Sequence, residues 1–127
     1  MKVFVNGTFD ILHPGHIALL NYAKSLGVYL LVGIDCDERV VQLKGPARPI
    51  NSQTDRKLML ENLKAVDEVQ VFNSDKELLH LIGQCDIMVK GSDYINKPII
   101  GSDQIEIKFY ERTEHSTTKA IQDIANR

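Results

Sequence analysis

Apolar positions along the chain change period repeatedly, and each change marks the border between a strand and a helix. Lys2-Val3-Phe4-Val5 is a short β-type run closed by the turn residues Asn6 and Gly7. After Pro14-Gly15 the apolar residues Ile17, Leu20, Ala23 and Leu26 recur in threes, as on one face of a helix, with Gly27 at its end. Tyr29 to Ile34 is an unbroken apolar run of strand length, the mark of a parallel strand covered on both faces. Lys44 to Ile50 carries two prolines and a glycine and predicts an irregular loop. Ser52 and Asp55 have capping-box spacing and open a helix with Met59, Leu63 and Val66 on one side. Val69 to Phe72 reads as a third strand. Ser74 and Glu77 form a second capping signature ahead of a helix face of Leu78, Leu81 and Ile82. Asp86 to Lys90 is a fourth strand ending at Gly91, and residues 105–109 alternate as a fifth. A last helix is expected from Ser116, Thr117 and Thr118, burying Ile121, Ile124 and Ala125.

Strands separated by helices at this spacing imply βαβ units joined by right-handed crossovers. The expectation is an α/β fold, a Rossmann-like three-layer sandwich around a five-stranded parallel sheet, as a single domain over residues 1–127. Ligands of such sheets bind at the carboxyl ends of the strands, where strand order reverses. The unusual clusters, Gly7 to His16, Lys44 to Arg48, Gly91 to Tyr94 and Arg112 to Thr118, all fall on the connections that leave strands. Four polar loops converging on one edge make a pocket.

Composition narrows what that pocket serves. The chain is 43% hydrophobic and 25% charged, a globular balance, and 15 Lys plus Arg against 17 Asp plus Glu give a net charge of −2. Nucleic-acid binders carry a large positive excess, so nucleic acid is not the expected partner. Two cysteines, Cys36 and Cys85, are too few for a disulfide framework and form no zinc-type pair; both read as buried small apolar groups. The N-terminus MKVFVNGTFD has no cleavable signal pattern, and no apolar run approaches the roughly 18 residues of a membrane span. A reducing, cytoplasmic setting with no membrane partner is expected.

The chemistry concentrates in Gly7-Thr8-Phe9-Asp10-Ile11-Leu12-His13-Pro14-Gly15-His16, a strand end, a glycine turn and two histidines at a helix start. Gly7 permits close backbone approach, and amides at a helix N-terminus favour an anion. Two imidazoles there can hydrogen-bond a phosphate and stabilise charge developing in a transition state. A protein-held metal needs further ligands at nearby spacing, and none is present; the plain alternative is two histidines packing a turn. Lys44 is either a phosphate-binding cation or a solvated loop residue. Arg48 and Arg56 either bind an acceptor phosphate or form surface ion pairs. Asp93 follows Gly91 at the pocket edge as a hydrogen-bonding group or an ordinary turn. Ser116, Thr117 and Thr118 place hydroxyls and amides at a helix start suited to phosphates. His80 reads as a surface helix residue.

GTFDILHPGH resembles the HxGH signature of the cytidylyltransferase-like nucleotidyltransferases. Leu43 to Asn51, Ala65-Val66-Asp67 and Val89 to Tyr94 are similar to the adenylyltransferase domain that makes ADP-heptose. Arg112-Thr113-Glu114 with Ser116-Thr117-Thr118 is closer to the RTEGISTT segment of glycerol-3-phosphate cytidylyltransferase, with the single residue His115 in place of a glycine-containing pair. The segment between Gly101 and Phe109 is shorter than in ADP-heptose-type domains by most of a helix. The resemblance implies transfer of a nucleoside monophosphate from ATP or CTP to a phosphorylated sugar or polyol, with release of pyrophosphate and no covalent intermediate. Heptose-1-phosphate adenylyltransferase is the first reading; glycerol-3-phosphate cytidylyltransferase, or a nucleotide-binding module without catalysis, is the alternative. It further implies His13, His16 and Lys44 as the catalytic set. Thr8, Phe9, Gly91, Asp93, Arg112, Thr113, Ser116, Thr117 and Thr118 join them on the nucleotide, and Arg48 and Asp10 take the acceptor. Mg2+ is expected with the triphosphate, His115 beside its β- or γ-phosphate, and a homodimer as the assembly. Relatives are commonly fused to a sugar kinase; here any kinase is expected on a separate chain.

Overall fold

The computed structural model describes residues 1–111, which build five parallel strands and four α-helices. The strands are β1 (Lys2–Gly7), β2 (Tyr29–Asp35), β3 (Glu68–Phe72), β4 (Ile87–Gly91) and β5 (Glu106–Tyr110). The helices are α1 (Pro14–Ser25), α2 (Asp37–Lys44), α3 (Gln53–Glu61) and α4 (Asp75–Ile82). Sheet order is β3-β2-β1-β4-β5 with every neighbour parallel, so the α/β sandwich expected from the pattern is the fold observed.

Strand alternation divides the core into two layers. Val3, Val5, Leu30, Val32, Ile34 and Val89 pack against α1 and α3, whereas Phe4, Leu31, Phe72 and Met88 pack against α4. The expected stripe of α4 is the one buried: Leu78, Leu81 and Ile82. Ser74 caps that helix, accepting from the Glu77 amide at 3.1 Å, and Ser52 caps α3 from the Asp55 amide at 3.2 Å.

Three elements depart from the sequence pattern. Helix α2 arises inside a polar stretch because it buries only Val40, too little to leave a periodic signal. In α1 the buried stripe is His16, Leu19, Leu20 and Ala23, while Ile17 is 41% exposed. A histidine takes the first position of that stripe, which hides its phase from an apolar count. In α3 the buried residues are Arg56 and Leu60, and Met59 faces solvent; Leu63 and Val66 reach the core from the turn beyond the helix. His80 is exposed as expected, and Cys36 and Cys85 are half-buried rather than buried. No helix among the described residues is long and apolar enough to cross a membrane.

The topology opens a crevice at one place. β1 runs to β2 on one side, and the chain later returns to place β4 on the other. β1 stays paired with β2 as far as Gly7 and Ile34, but its pairing with β4 stops at Phe4 and Met88. Beyond that pair the carboxyl ends of the two strands part, which is where a doubly wound sheet binds its ligand.

Candidate active site

The parted strands enclose a cleft of about 370 Å³. Gly7, Thr8, Phe9 and His16 line it on the β1 side, Lys90, Gly91 and Asp93 on the β4 side, and Lys44 reaches it from the end of α2. Clusters separated by dozens of residues in sequence meet here through strand order alone.

The signature segment is fixed by its own side chains. His13 is the N-cap of α1, and its Nδ1 accepts from the Gly15 amide at 3.1 Å. His16, three residues on, returns the bond, its Nδ1 accepting from the His13 amide at 3.3 Å. The two histidines thus form a capping box, and their rings stack with centroids 3.8 Å apart. This bonding sets the tautomers: an Nδ1 that accepts carries no proton, so in each neutral ring the proton is on Nε2. His16 lines the cleft, whereas His13 is buried and stacked on His16 without lining it. The early amides of α1 are used up, since Pro14 has none, Gly15 donates to His13 Nδ1 and the His16 amide donates to the His13 carbonyl. Anion binding expected of those amides therefore falls to the imidazoles.

Phe9 holds the other end of the segment. Its φ is 51°, in the left-handed region, at a cost of about 1–2 kcal/mol. The strain places its ring edge-on to His16 at 5.2 Å and flat over Gly7, where a Cβ would stand 3.1 Å from a ring carbon. Gly7 is needed for that close approach.

Asp10, expected at the acceptor, and Arg56, left open between an acceptor phosphate and an ion pair, both brace the backbone. Both carboxylate oxygens of Asp10 accept from the Ile50 amide, at 3.0 and 2.8 Å, and one also accepts from the Asn51 amide at 2.8 Å. Asp10, 2% exposed, ties the Lys44–Asn51 connection to the signature rather than facing an acceptor. Arg56 is 1% exposed, so its ion pair, with Asp37, is made from a buried guanidinium and not at the surface. Its guanidinium donates to the carbonyls of Asn51, Thr8 and Asp35 at 3.0, 2.9 and 2.8 Å, and to the Asp37 carboxylate at 2.8 Å. One buried fork joins the ends of β1 and β2, the loop before α3 and the first turn of α2.

Lys44 ends α2 instead of standing in a loop, and Gly45 after it turns the chain at φ 93°, a conformation that favours glycine. Arg48 is half-buried, does not line the cleft and has no ion pair among the described residues. Asp35, passed over in the sequence, ends β2 with 7% exposure; it accepts from Arg39 Nε at 2.9 Å, and Arg39 also donates to Asp75 at 2.7 Å. Lys90, read in sequence only as the end of a strand, has its ammonium 4.8 Å from the Tyr94 ring centroid. Burial pulls its pKa down to about 8, against the opposing pull of Asp35 and Asp93. Arg112, Thr113, His115, Ser116, Thr117, Thr118 and the last helix lie outside the described residues.

His16 at the start of α1 thus shares a cleft with Lys44 and Lys90 where the strand order reverses, a setting suited to a phosphate-bearing ligand. The cytidylyltransferase-like family model matches residues 4–122, and the chain belongs to that family of nucleotidyltransferases. It is 48% identical over 122 residues to the bifunctional protein HldE of Wolinella succinogenes and 47% identical to that of Nitratiruptor sp., covering 94% of this chain in each case. The chain spans about a quarter (26%) of the length of those relatives. The lipopolysaccharide core biosynthesis protein of Thermoplasma volcanium superposes with a TM-score of 0.69 at 27% identity, over 91% of this chain and 98% of the other.

Proposed function

We propose that the chain is a heptose-1-phosphate adenylyltransferase, transferring AMP from ATP to heptose 1-phosphate with release of pyrophosphate. The observation that carries the chemistry is the histidine pair at the start of α1, fixed by backbone hydrogen bonds and stacked ring on ring, with His16 lining the cleft. The heptose acceptor rests on the likeness to HldE proteins, which are bifunctional ADP-heptose synthases.

In this reading an oxygen of the acceptor phosphate attacks the α-phosphorus in line. A new P–O bond forms, the bond to the α–β bridging oxygen breaks, and its electron pair leaves with pyrophosphate. No side chain takes up the nucleotidyl group, so the protein contributes positioning and charge stabilisation. His13 and His16 donate to the oxygens on which charge accumulates, and Lys44 acts as a point charge on the polyphosphate. Thr8, Phe9, Gly91 and Asp93 border the nucleotide; the roles of Arg112, Thr113, Ser116, Thr117 and Thr118 follow only from their likeness to the family segment. Mg2+, if it accompanies the triphosphate, would supply neutralisation of phosphate charge. The enzyme is proposed to work in the cytoplasm as a homodimer.

A matrix of ATP, CTP, GTP and UTP against heptose 1-phosphate and glycerol 3-phosphate, scored by pyrophosphate, tests the reading. Release with ATP and heptose 1-phosphate is expected. Release with CTP and glycerol 3-phosphate only would replace it with the cytidylyltransferase, and no release from any pair would leave a binding module.

A further inference from the structure

The signature leaves one side of the cleft unexplained. Asn6 is the residue before Gly7 on β1 and lines the cleft, and its Oδ1 is buried with no hydrogen-bond partner among the described residues. An amide oxygen only accepts, and leaving it buried and unpaired costs about 1–3 kcal/mol. Continuing the register from Phe4 opposite Met88 sets Asn6 opposite Lys90. Both side chains leave the sheet on the face of Phe4 and Met88, which is the α4 face. Asp35, on β2, shares that face by the same alternation from Leu31. An orphan acceptor and a desolvated ammonium therefore flank the cleft floor where the strands part.

We propose that Asn6 and Lys90 form the acceptor subsite, Lys90 taking an oxygen of the acceptor phosphate and Asn6 accepting from a neighbouring sugar hydroxyl. The inference deepens the transferase reading above and rests on it. Strand order selects the acceptor over the nucleotide. Lys44 follows β2 and Lys90 ends β4, on opposite sides of β1, whose signature loop lies between them. In-line displacement needs the attacking and leaving oxygens on opposite sides of the α-phosphorus. With pyrophosphate leaving towards Lys44, the attacking phosphate comes from the Lys90 side. Asp35 and Asp93 act on the Lys90 charge, and the Tyr94 ring lies over it. A ligand carrying both a hydroxyl donor and anionic oxygens satisfies Asn6 and Lys90 together; a sugar phosphate is such a ligand.

The test is direct binding of heptose 1-phosphate, glycerol 3-phosphate and inorganic phosphate to the whole chain by calorimetry, without nucleotide or turnover. Lys90→Met is expected to weaken heptose 1-phosphate by about 10- to 100-fold, the worth of a charged hydrogen bond, with Lys90→Arg recovering most of it. Asn6→Leu is expected to weaken heptose 1-phosphate by about 10-fold and leave inorganic phosphate unchanged, separating hydroxyl from phosphate recognition. ATP affinity, measured on the same samples, should stay within about twofold in all three variants and report that they are folded. The subsite is overturned if the wild type binds none of the three probes, if Lys90→Met binds heptose 1-phosphate as the wild type does, or if ATP affinity falls in parallel. Because nothing turns over, inactivity in the pyrophosphate matrix and failure of the subsite are separate results.

Discussion

The two sides of the cleft are built on opposite principles. Around the signature loop the polar groups are spent on the protein itself: His13 caps the Gly15 amide and His16 the His13 amide, Asp10 is spent on two amides, and Arg56 fills its fork with three carbonyls and a carboxylate. Where β1 and β4 part, the polar groups are left poorly paired, with the Asn6 Oδ1 on β1 orphaned among the described residues and the Lys90 ammonium on β4 partly stripped of water. A satisfied network is rigid, which is what stabilising a brief charge requires. An unsatisfied one stores free energy that a ligand releases, which is what selecting a substrate requires. Chemistry and recognition are thereby assigned to different groups of residues around the cleft.

Breaking the first side at its brace should have the largest effect. Arg56→Met leaves the Asp37 carboxylate without its buried partner and three carbonyls without a donor, and is expected to cost about 3–5 kcal/mol in urea unfolding. Arg56→Lys should recover only part, because one ammonium cannot reproduce the fork. A loss under about 1 kcal/mol for Arg56→Met would show that the fork is not a brace.

Next come the histidines. His16→Ala and His13→Ala should each lower kcat by roughly 10²–10³-fold, with ATP affinity changed far less. His13→Ala also removes an N-cap worth about 1 kcal/mol, which His13→Asn should restore without restoring turnover. Turnover that returned with the cap would reduce His13 to a structural residue. Lys44→Ala should act on both parameters, raising the ATP KM and lowering kcat by about 10-fold each, since a point charge meets the phosphates in ground and transition states alike. Unchanged kinetics would return Lys44 to solvent.

The smallest effect sharpens the second side. Burial sets the Lys90 pKa near 8, so its charge is lost as pH rises through that value. Acceptor binding should weaken above about pH 8 in the wild type and stay flat in Lys90→Arg, whose side chain keeps its charge. The stability sign is opposite to that of an ordinary ion pair. With the folded pKa below the unfolded value of about 10.4, the folded state holds fewer protons between the two, so stability should rise from about pH 8 upward. Lys90→Met, relieved of that cost, should be more stable at pH 7 by about 1 kcal/mol while binding acceptor worse. A less stable Lys90→Met would contradict the assignment.

The strands and most helices were legible in the sequence because the central strands are largely apolar runs and α3 and α4 each open on a Ser with an acidic residue three further on. Helix α2 was not, since one buried valine in eight residues leaves no period. Arg56 was illegible for a different reason: its partners are backbone carbonyls up to 48 residues away, and carbonyls have no sequence signature. Asn6 resembled a turn residue because its meaning depends on which strand fails to pair with it. The signature histidines could be located by spacing, but their mutual capping, and hence the tautomers, required the backbone.

The division of labour between the two sides is tested most directly by one crossed steady-state experiment. The kcat and acceptor KM would be measured by pyrophosphate release for wild type, His16→Ala, Lys90→Met and the double variant, with ATP and heptose 1-phosphate. The account predicts that His16→Ala lowers kcat at an acceptor KM within about threefold of wild type. Lys90→Met should raise that KM by at least about 10-fold, and the two losses in kcat/KM should add in the double variant. Both variants lowering kcat alone, or a double variant no worse than His16→Ala, would mean that the two sides act as one unit and would contradict the account.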